Sequence, residues 1–316
     1  MINRKAIIFG LKGYILTKKE KFLIKNNTPW GIILFSRNIK SILQTQRLIF
    51  EIKKITKDKN YPILIDQEGG RVSRINNIIN LQIFSQRSFG LLYKTNKKKF
   101  FIYYKLYVNA VSDLLKKIGV NINTVPVLDI ERKNSNKIIS DRAFSKNVNT
   151  VAQLGKICID LYKKNKIATV MKHIPGHGLS KEDSHFKTAI VNAKKKLLIK
   201  KDFIPFKICK PLFAMTAHAV YSSYDRTNTA THSKIVINDV IRGYINFKGI
   251  IISDDISMKS LKYSLEENAL RALLSGCNLV LHCNGNIKEM LKLSKIIPRI
   301  DKFTNLKTSQ FYNFLG

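Results

Sequence analysis

The chain has 316 residues, 45 % of them apolar, and a formal net charge of +35. That is enough apolar side chain for one large core and too much for a disordered polycation, and no apolar run approaches the roughly 20 residues of a membrane-spanning helix. Lysine makes up 44 of the 56 basic residues and arginine only 12, whereas phosphate and base recognition favours the guanidinium fork, so no specific nucleic-acid partner is expected.

In chain order, the opening Met1-Ile2-Asn3-Arg4-Lys5-Ala6-Ile7-Ile8-Phe9-Gly10 holds an apolar run too short for an export signal, with no small-residue cleavage site after it. A strand is expected over 7–9. Thr17-Lys18-Lys19-Glu20 is a capping box that opens the first helix. A strand over 32–35 leads to a helix over 41–56, with apolar residues at Ile42, Leu43, Leu48, Ile49 and Ile52. Then follow a strand over 63–65, a helix over 100–118, a strand over 122–124, a helix over 151–164 and strands over 168–171 and 212–215. A helix over 233–242, a strand over 250–253, a helix over 265–274, a strand over 279–281 and a helix over 287–295 complete the pattern. Alternation of this kind implies parallel strands joined by right-handed crossovers. Eight strands predict one domain over 1–316, an α/β chain folded as a (β/α)8 TIM-type barrel; an open doubly wound sheet is the alternative. Cys158, Cys209, Cys277 and Cys283 show no C-x-x-C spacing and read as reduced thiols of a cytoplasmic protein. Scattered lysines in a chain equally rich in Ile and Asn read as compositional drift, leaving a weak, salt-sensitive attraction to anionic polymers.

Barrels of this class carry their chemistry where strands end at the C-terminal face. Just past the expected strands stand Asp66, Asp129, Lys172, His173, His218, Asp254, Asp255 and His282. Five of the six histidines, at 173, 177, 185, 218 and 282, follow strand ends, and His232 lies along a loop.

The richest segment is Lys172-His173-Ile174-Pro175-Gly176-His177-Gly178-Leu179-Ser180-Lys181-Glu182-Asp183-Ser184-His185. Its glycines and proline predict a loop over the barrel mouth. By residue type it fits a metal site built from His173, His177, Asp183 and His185. It equally fits an acid–base pair in which Asp183 orients His185, or a solvated loop. Ser253-Asp254-Asp255 closes an apolar strand with two carboxylates, of which alternation turns one to the barrel axis and leaves the other to brace the backbone. Asp66-Gln67-Glu68-Gly69-Gly70-Arg71-Val72-Ser73-Arg74 suits a ligand with many hydroxyls better than it suits phosphate, and Ser140-Asp141-Arg142-Ala143-Phe144 adds another arginine.

Together with Trp30-Gly31-Ile32-Ile33-Leu34-Phe35-Ser36-Arg37-Asn38, Pro126-Val127-Leu128-Asp129, Ala217-His218 and Ser253-Asp254-Asp255-Ile256-Ser257-Met258, these segments span nearly the whole chain. They resemble the bacterial family 3 glycoside hydrolases, specifically the single-domain β-N-acetylglucosaminidases of peptidoglycan recycling. Lys-His-x-Pro-Gly-His-Gly followed by Asp-Ser-His is the most specific element. The resemblance implies a retaining enzyme with Asp254 as nucleophile and with Asp183 and His185 as the acid–base dyad. It also implies that Asp66, Arg74, Arg142, Lys172 and His173 hold the N-acetylglucosamine ring. The expected partners are muropeptide fragments in which N-acetylglucosamine is linked to anhydro-N-acetylmuramic acid. The enzyme is expected to be a monomer needing no cofactor and no metal. The competing readings are a metal-dependent hydrolase using the histidine loop and a basic polyanion-binding protein.

Overall fold

The computed structural model describes residues 3–132, 139–179 and 188–316. Ten strands run in chain order: β1 (Lys5–Gly10), β2 (Pro29–Leu34), β3 (Ile63–Ile65), β4 (Ile122–Asn123), β5 (Ala168–Ile174), β6 (Ala189–Val191), β7 (Phe213–Thr216), β8 (Ala219–Tyr221), β9 (Ile250–Asp255) and β10 (Leu279–His282). Eight of them close into a parallel barrel in the order β1-β10-β9-β7-β5-β4-β3-β2, while β6 and β8 form a separate parallel pair. The ring closes at β1, where Ile8 stands opposite Leu281 on one side and Gly31 on the other. This excludes the open doubly wound sheet. Parallel strands buried on both faces must be apolar on both, which is why the stretches 7–9 in β1, 32–34 in β2 and 250–252 in β9 read as unbroken apolar runs.

Each expected strand lies on one barrel strand, but β5 and β9 run further than the apolar residues do. Lys172, His173, Asp254 and Asp255 therefore belong to strand ends and His282 to the last position of β10, not to the loops beyond. Backbone pairing continues under polar side chains: Leu128 N donates to Lys172 O at 2.7 Å and Lys172 N donates to Pro126 O at 3.1 Å.

The helices include α1 (Lys18–Asn26), α2 (Ile42–Thr56), α3 (Gln86–Thr95), α4 (Lys97–Ile118), α5 (Val148–Lys164), α6 (Lys195–Lys200), α7 (Ile204–Ile208), α8 (Leu265–Ser275), α9 (Ile287–Ile296) and α10 (Lys302–Leu315). The capping box of α1 forms as expected, with Thr17 Oγ1 accepting from Glu20 N and Glu20 accepting from Thr17 N at 2.8 Å. The helix expected over 233–242 is a π-helix at Val236–Tyr244, which buries Val236, Ile237, Val240 and Ile241. Helix α10 seals the N-terminal end of the barrel. Trp30 and Phe213 sit at the starts of the opposite strands β2 and β7, 5.6 Å apart between ring centroids, and Phe311 packs on both. Trp30 Nε1 donates to Thr308 Oγ1 at 2.9 Å. With that end plugged, the C-terminal mouth is where a ligand can enter. Among the described residues no helix is long and apolar enough to cross a membrane, and all four cysteines are free.

Candidate active site

Asp66 and Glu68 follow β3 two residues apart, so backbone alternation turns both to the mouth of the barrel and turns Gln67 away. The Gln67 side chain braces the returning turn, its Oε1 accepting from Arg74 N at 2.8 Å. Gly69, at φ +88°, has no room for a side chain, since a Cβ would stand 2.1 Å from Phe84 O. The glycine pair thus serves close packing of the turn and not the approach of an anion.

The two carboxylates interlock with three cations. Lys172 Nζ lies 3.0 Å from Asp66 Oδ1, 2.6 Å from Glu68 Oε1 and 2.9 Å from Thr124 Oγ1. Arg142 grips Glu68 with two bonds, Nε to Oε2 at 2.8 Å and Nη2 to Oε1 at 2.9 Å. Arg74 Nη2 stands 3.5 Å from Asp66 Oδ2, and the Thr124 hydroxyl donates to the same carboxylate. Burial alone would raise both carboxyls, yet Lys172 and Arg74 hold Asp66 well below the carboxylate range. Arg142 and Lys172 likewise hold Glu68 at about 2. In return Asp66 and Glu68 raise Lys172 against the burial that would lower it. Asp66, Glu68 and Lys172 are therefore charged at neutral pH, part of a preformed polar surface suited to a hydroxyl-rich ring.

Across the mouth, the strand alternation read from Asp254-Asp255 holds. Asp254 borders the cavity. Asp255 is a brace, its Oδ1 accepting from Cys283 N at 3.2 Å and Ser257 N at 3.1 Å and its Oδ2 from Ser257 Oγ at 2.8 Å. Burial pushes the Asp254 carboxyl up, but the imidazoles of His218 and His173, the Asp255 N–H at 2.8 Å and Lys172 bring it below its ordinary value. It is an anion at neutral pH. His218 is held between Thr231 Oγ1 at 2.7 Å and Asp255 O at 3.0 Å, which ties β7 to β9, and burial lowers its pKa.

The histidine loop is rooted by Asp129, which is fully buried after β4. Its Oδ2 accepts from His173 Nδ1 at 2.6 Å and its Oδ1 from His177 N at 2.6 Å. Tyr221 OH donates to Gly176 O at 2.6 Å, and at Gly178 a Cβ would meet Ile130 O at 2.2 Å, so only glycine fits there. His177 also borders the cavity; burial lowers it to about 4, and its Nε2 has no hydrogen-bond partner among the described residues.

Asp66, Glu68, Arg74, Arg142, Lys172, His173, His177 and Asp254 line one cavity of about 150 Å³. The five sugar-binding candidates and Asp254 are thus brought together, while Asp183 and His185 lie outside the described residues. Asp129 was singled out in the sequence only for its place after a strand, and Glu68 only as one of two carboxylates. The spacing of Glu68 from Asp66 was the available signal. Among the described residues no three His, Cys, Asp or Glu side chains cluster as a metal-binding group.

The glycosyl hydrolase family 3 N-terminal domain matches residues 10–309. The chain belongs to glycosyl hydrolase family 3. It is accordingly a glycoside hydrolase, and its relatives narrow the kind. The beta-hexosaminidase of Nitrosomonas eutropha is 32 % identical over 285 residues, covering 88 % of this chain and 80 % of that protein. The beta-hexosaminidase of Hydrogenovibrio crunogenus is 31 % identical over 98 % of this chain and 90 % of its own length. Among solved structures, NagZ from Neisseria gonorrhoeae in complex with N-trifluoroacetyl-D-glucosamine superposes with a TM-score of 0.88 at 29 % identity, covering 98 % of this chain and 90 % of that one. This family 3 hydrolase is therefore similar to NagZ over almost its full described length.

Proposed function

We propose that this family 3 hydrolase is a retaining exo-β-N-acetylglucosaminidase that removes a terminal β-linked N-acetylglucosamine. What supports the sugar is the name beta-hexosaminidase shared by the relatives and the N-acylated glucosamine held by the Neisseria protein. The observation that carries the reading is the cavity itself. An ionised carboxylate, Asp254, faces a fixed set of donors and acceptors, Asp66, Arg74, Arg142, Lys172 and His173. Such buried polar groups reject a ligand that leaves them unpaired.

In this reading Asp254 attacks the anomeric carbon through an oxocarbenium-like transition state as His185, oriented by Asp183, protonates the leaving oxygen. In the second half His185 takes a proton from water, which releases the sugar from Asp254 with its configuration retained. A histidine serves both steps because imidazole titrates near neutrality. The acetamido group is not the nucleophile, since Asp254 holds that role. The natural substrates are muropeptide fragments bearing N-acetylglucosamine on anhydro-N-acetylmuramic acid, processed in the cytoplasm during cell-wall recycling. NMR of the first-formed sugar tests this: the β-anomer from an N-acetyl-β-glucosaminide is expected, with a plain β-glucoside turned over far more slowly. Net inversion would remove the covalent mechanism, and equal rates would remove the N-acetyl specificity.

A further inference from the structure

The ring of His173 is held from both sides by groups of fixed hydrogen-bonding character. On one side Asp129 receives three N–H groups: His173 Nδ1 at 2.6 Å, His177 N at 2.6 Å and His173 N at 3.3 Å. Three N–H donors converge on this one buried carboxylate and leave it no acceptor to donate to, so it is an anion that can only accept. The proton of that pair therefore sits on Nδ1. On the other side Arg142 Nη2 stands 3.5 Å from His173 Nε2. A guanidinium has donors only, so a second proton on Nε2 would point at a cation. Both sides favour one tautomer, with Nδ1 protonated and Nε2 bare beside the cavity.

We propose that Asp129 is a positioning residue that locks this tautomer, so that a hydroxyl of the bound sugar donates to His173 Nε2 and takes over the lone pair that Arg142 Nη2 reaches only at 3.5 Å. The cations Arg74, Arg142 and Lys172 that share the cavity can only donate. The sugar hydroxyl that meets His173 must donate its own proton there. The same carboxylate holds the His177 N–H, so one buried group sets both the ring that meets the sugar and the backbone at His177.

The inference rests on the sugar-binding reading of the cavity, and its first test does not. NMR of the ring nitrogens in the unliganded wild-type enzyme, with His173 assigned by loss of its signals in His173→Phe, should show Nδ1 protonated and Nε2 bare at neutral pH. The opposite tautomer, or an imidazolium, overturns the proposal whatever the substrate is. The second test uses activity. Asp129→Asn should lower kcat/KM on an N-acetylglucosaminide by about 10–100-fold, the size seen when the carboxylate behind a metal-bound imidazole is removed, and should abolish the tautomer preference. With substrates lacking single ring hydroxyls, the losses in Asp129→Asn and His173→Phe should both shrink on the same one. A loss in Asp129→Asn that is equal on every deoxy substrate means a merely structural carboxylate and overturns the proposal. If Asp129→Asn does not fold, the wild-type tautomer and the deoxy series with His173→Phe still decide it. A series in which no single deoxy substrate erases the His173→Phe loss overturns it too.

Discussion

Replacing Glu68 with glutamine keeps the shape of a buried side chain and removes its charge. Three donors converge on that carboxylate: Arg142 Nε at 2.8 Å, Arg142 Nη2 at 2.9 Å and Lys172 Nζ at 2.6 Å. A neutral amide can accept from one cation, and its NH2 then faces the other. Removing one partner from a buried ion pair costs about 3–5 kcal/mol, because a charge is left uncompensated. The titration of the carboxyl leads to a similar size. Held at about 2 against an ordinary 4.5, it contributes about 3 kcal/mol at neutral pH. The folded value is depressed, so this stability is fully present above 4.5 and is lost as the pH falls toward about 2. Urea unfolding of wild type and Glu68→Gln should differ by about 3 kcal/mol at neutral pH, with the gap closing across that acid range. Activity should fall as well, since Lys172 and Arg142 lose their anchor. A gap below about 1 kcal/mol at neutral pH, the size of an exposed pair, or a gap that does not change on acidification, would refute the view of Glu68 as the hub of the cation cluster.

The carboxylate pair gives a second expectation. Asp254→Asn should cost roughly 10³-fold or more in rate, whereas Asp255→Asn, which loses only braces to Ser257 and Cys283, should be milder; an essential Asp255 with a dispensable Asp254 would reverse the assignment. For the dyad, His185→Ala should retain far more activity on a substrate whose leaving group needs little protonation than on a natural glycoside. Chelators should leave wild-type kinetics unchanged, and activity lost to a chelator and restored by zinc would move the chemistry to a metal.

The barrel was legible because its strands are apolar on both faces, so that β2, β3 and β9 stand out as β-branched runs between helices. The site was legible where polar residues interrupt such runs, as at Asp254 and at Lys172-His173. Elements with weak apolar faces were not legible. Helix α10 buries Thr304 and Thr308 beside Phe311, so it shows no clear helical apolar stripe, and α3 is a ten-residue helix whose buried face includes Gln86 and Gly90. The pair β6–β8 is three residues long on each side and exposes Ile190. The roles of Glu68 and Asp129 depend on partners 74 and 44 residues away, Arg142 and His173, which no local pattern reveals.

The most direct measurement is to stop the enzyme during turnover of an activated N-acetylglucosaminide, digest it, and locate the sugar by mass spectrometry. A covalent mechanism at this cavity predicts an N-acetylglucosaminyl ester on the peptide carrying Asp254, absent from Asp254→Asn. An adduct on any other residue, or an α-anomer released first with no adduct, would contradict it.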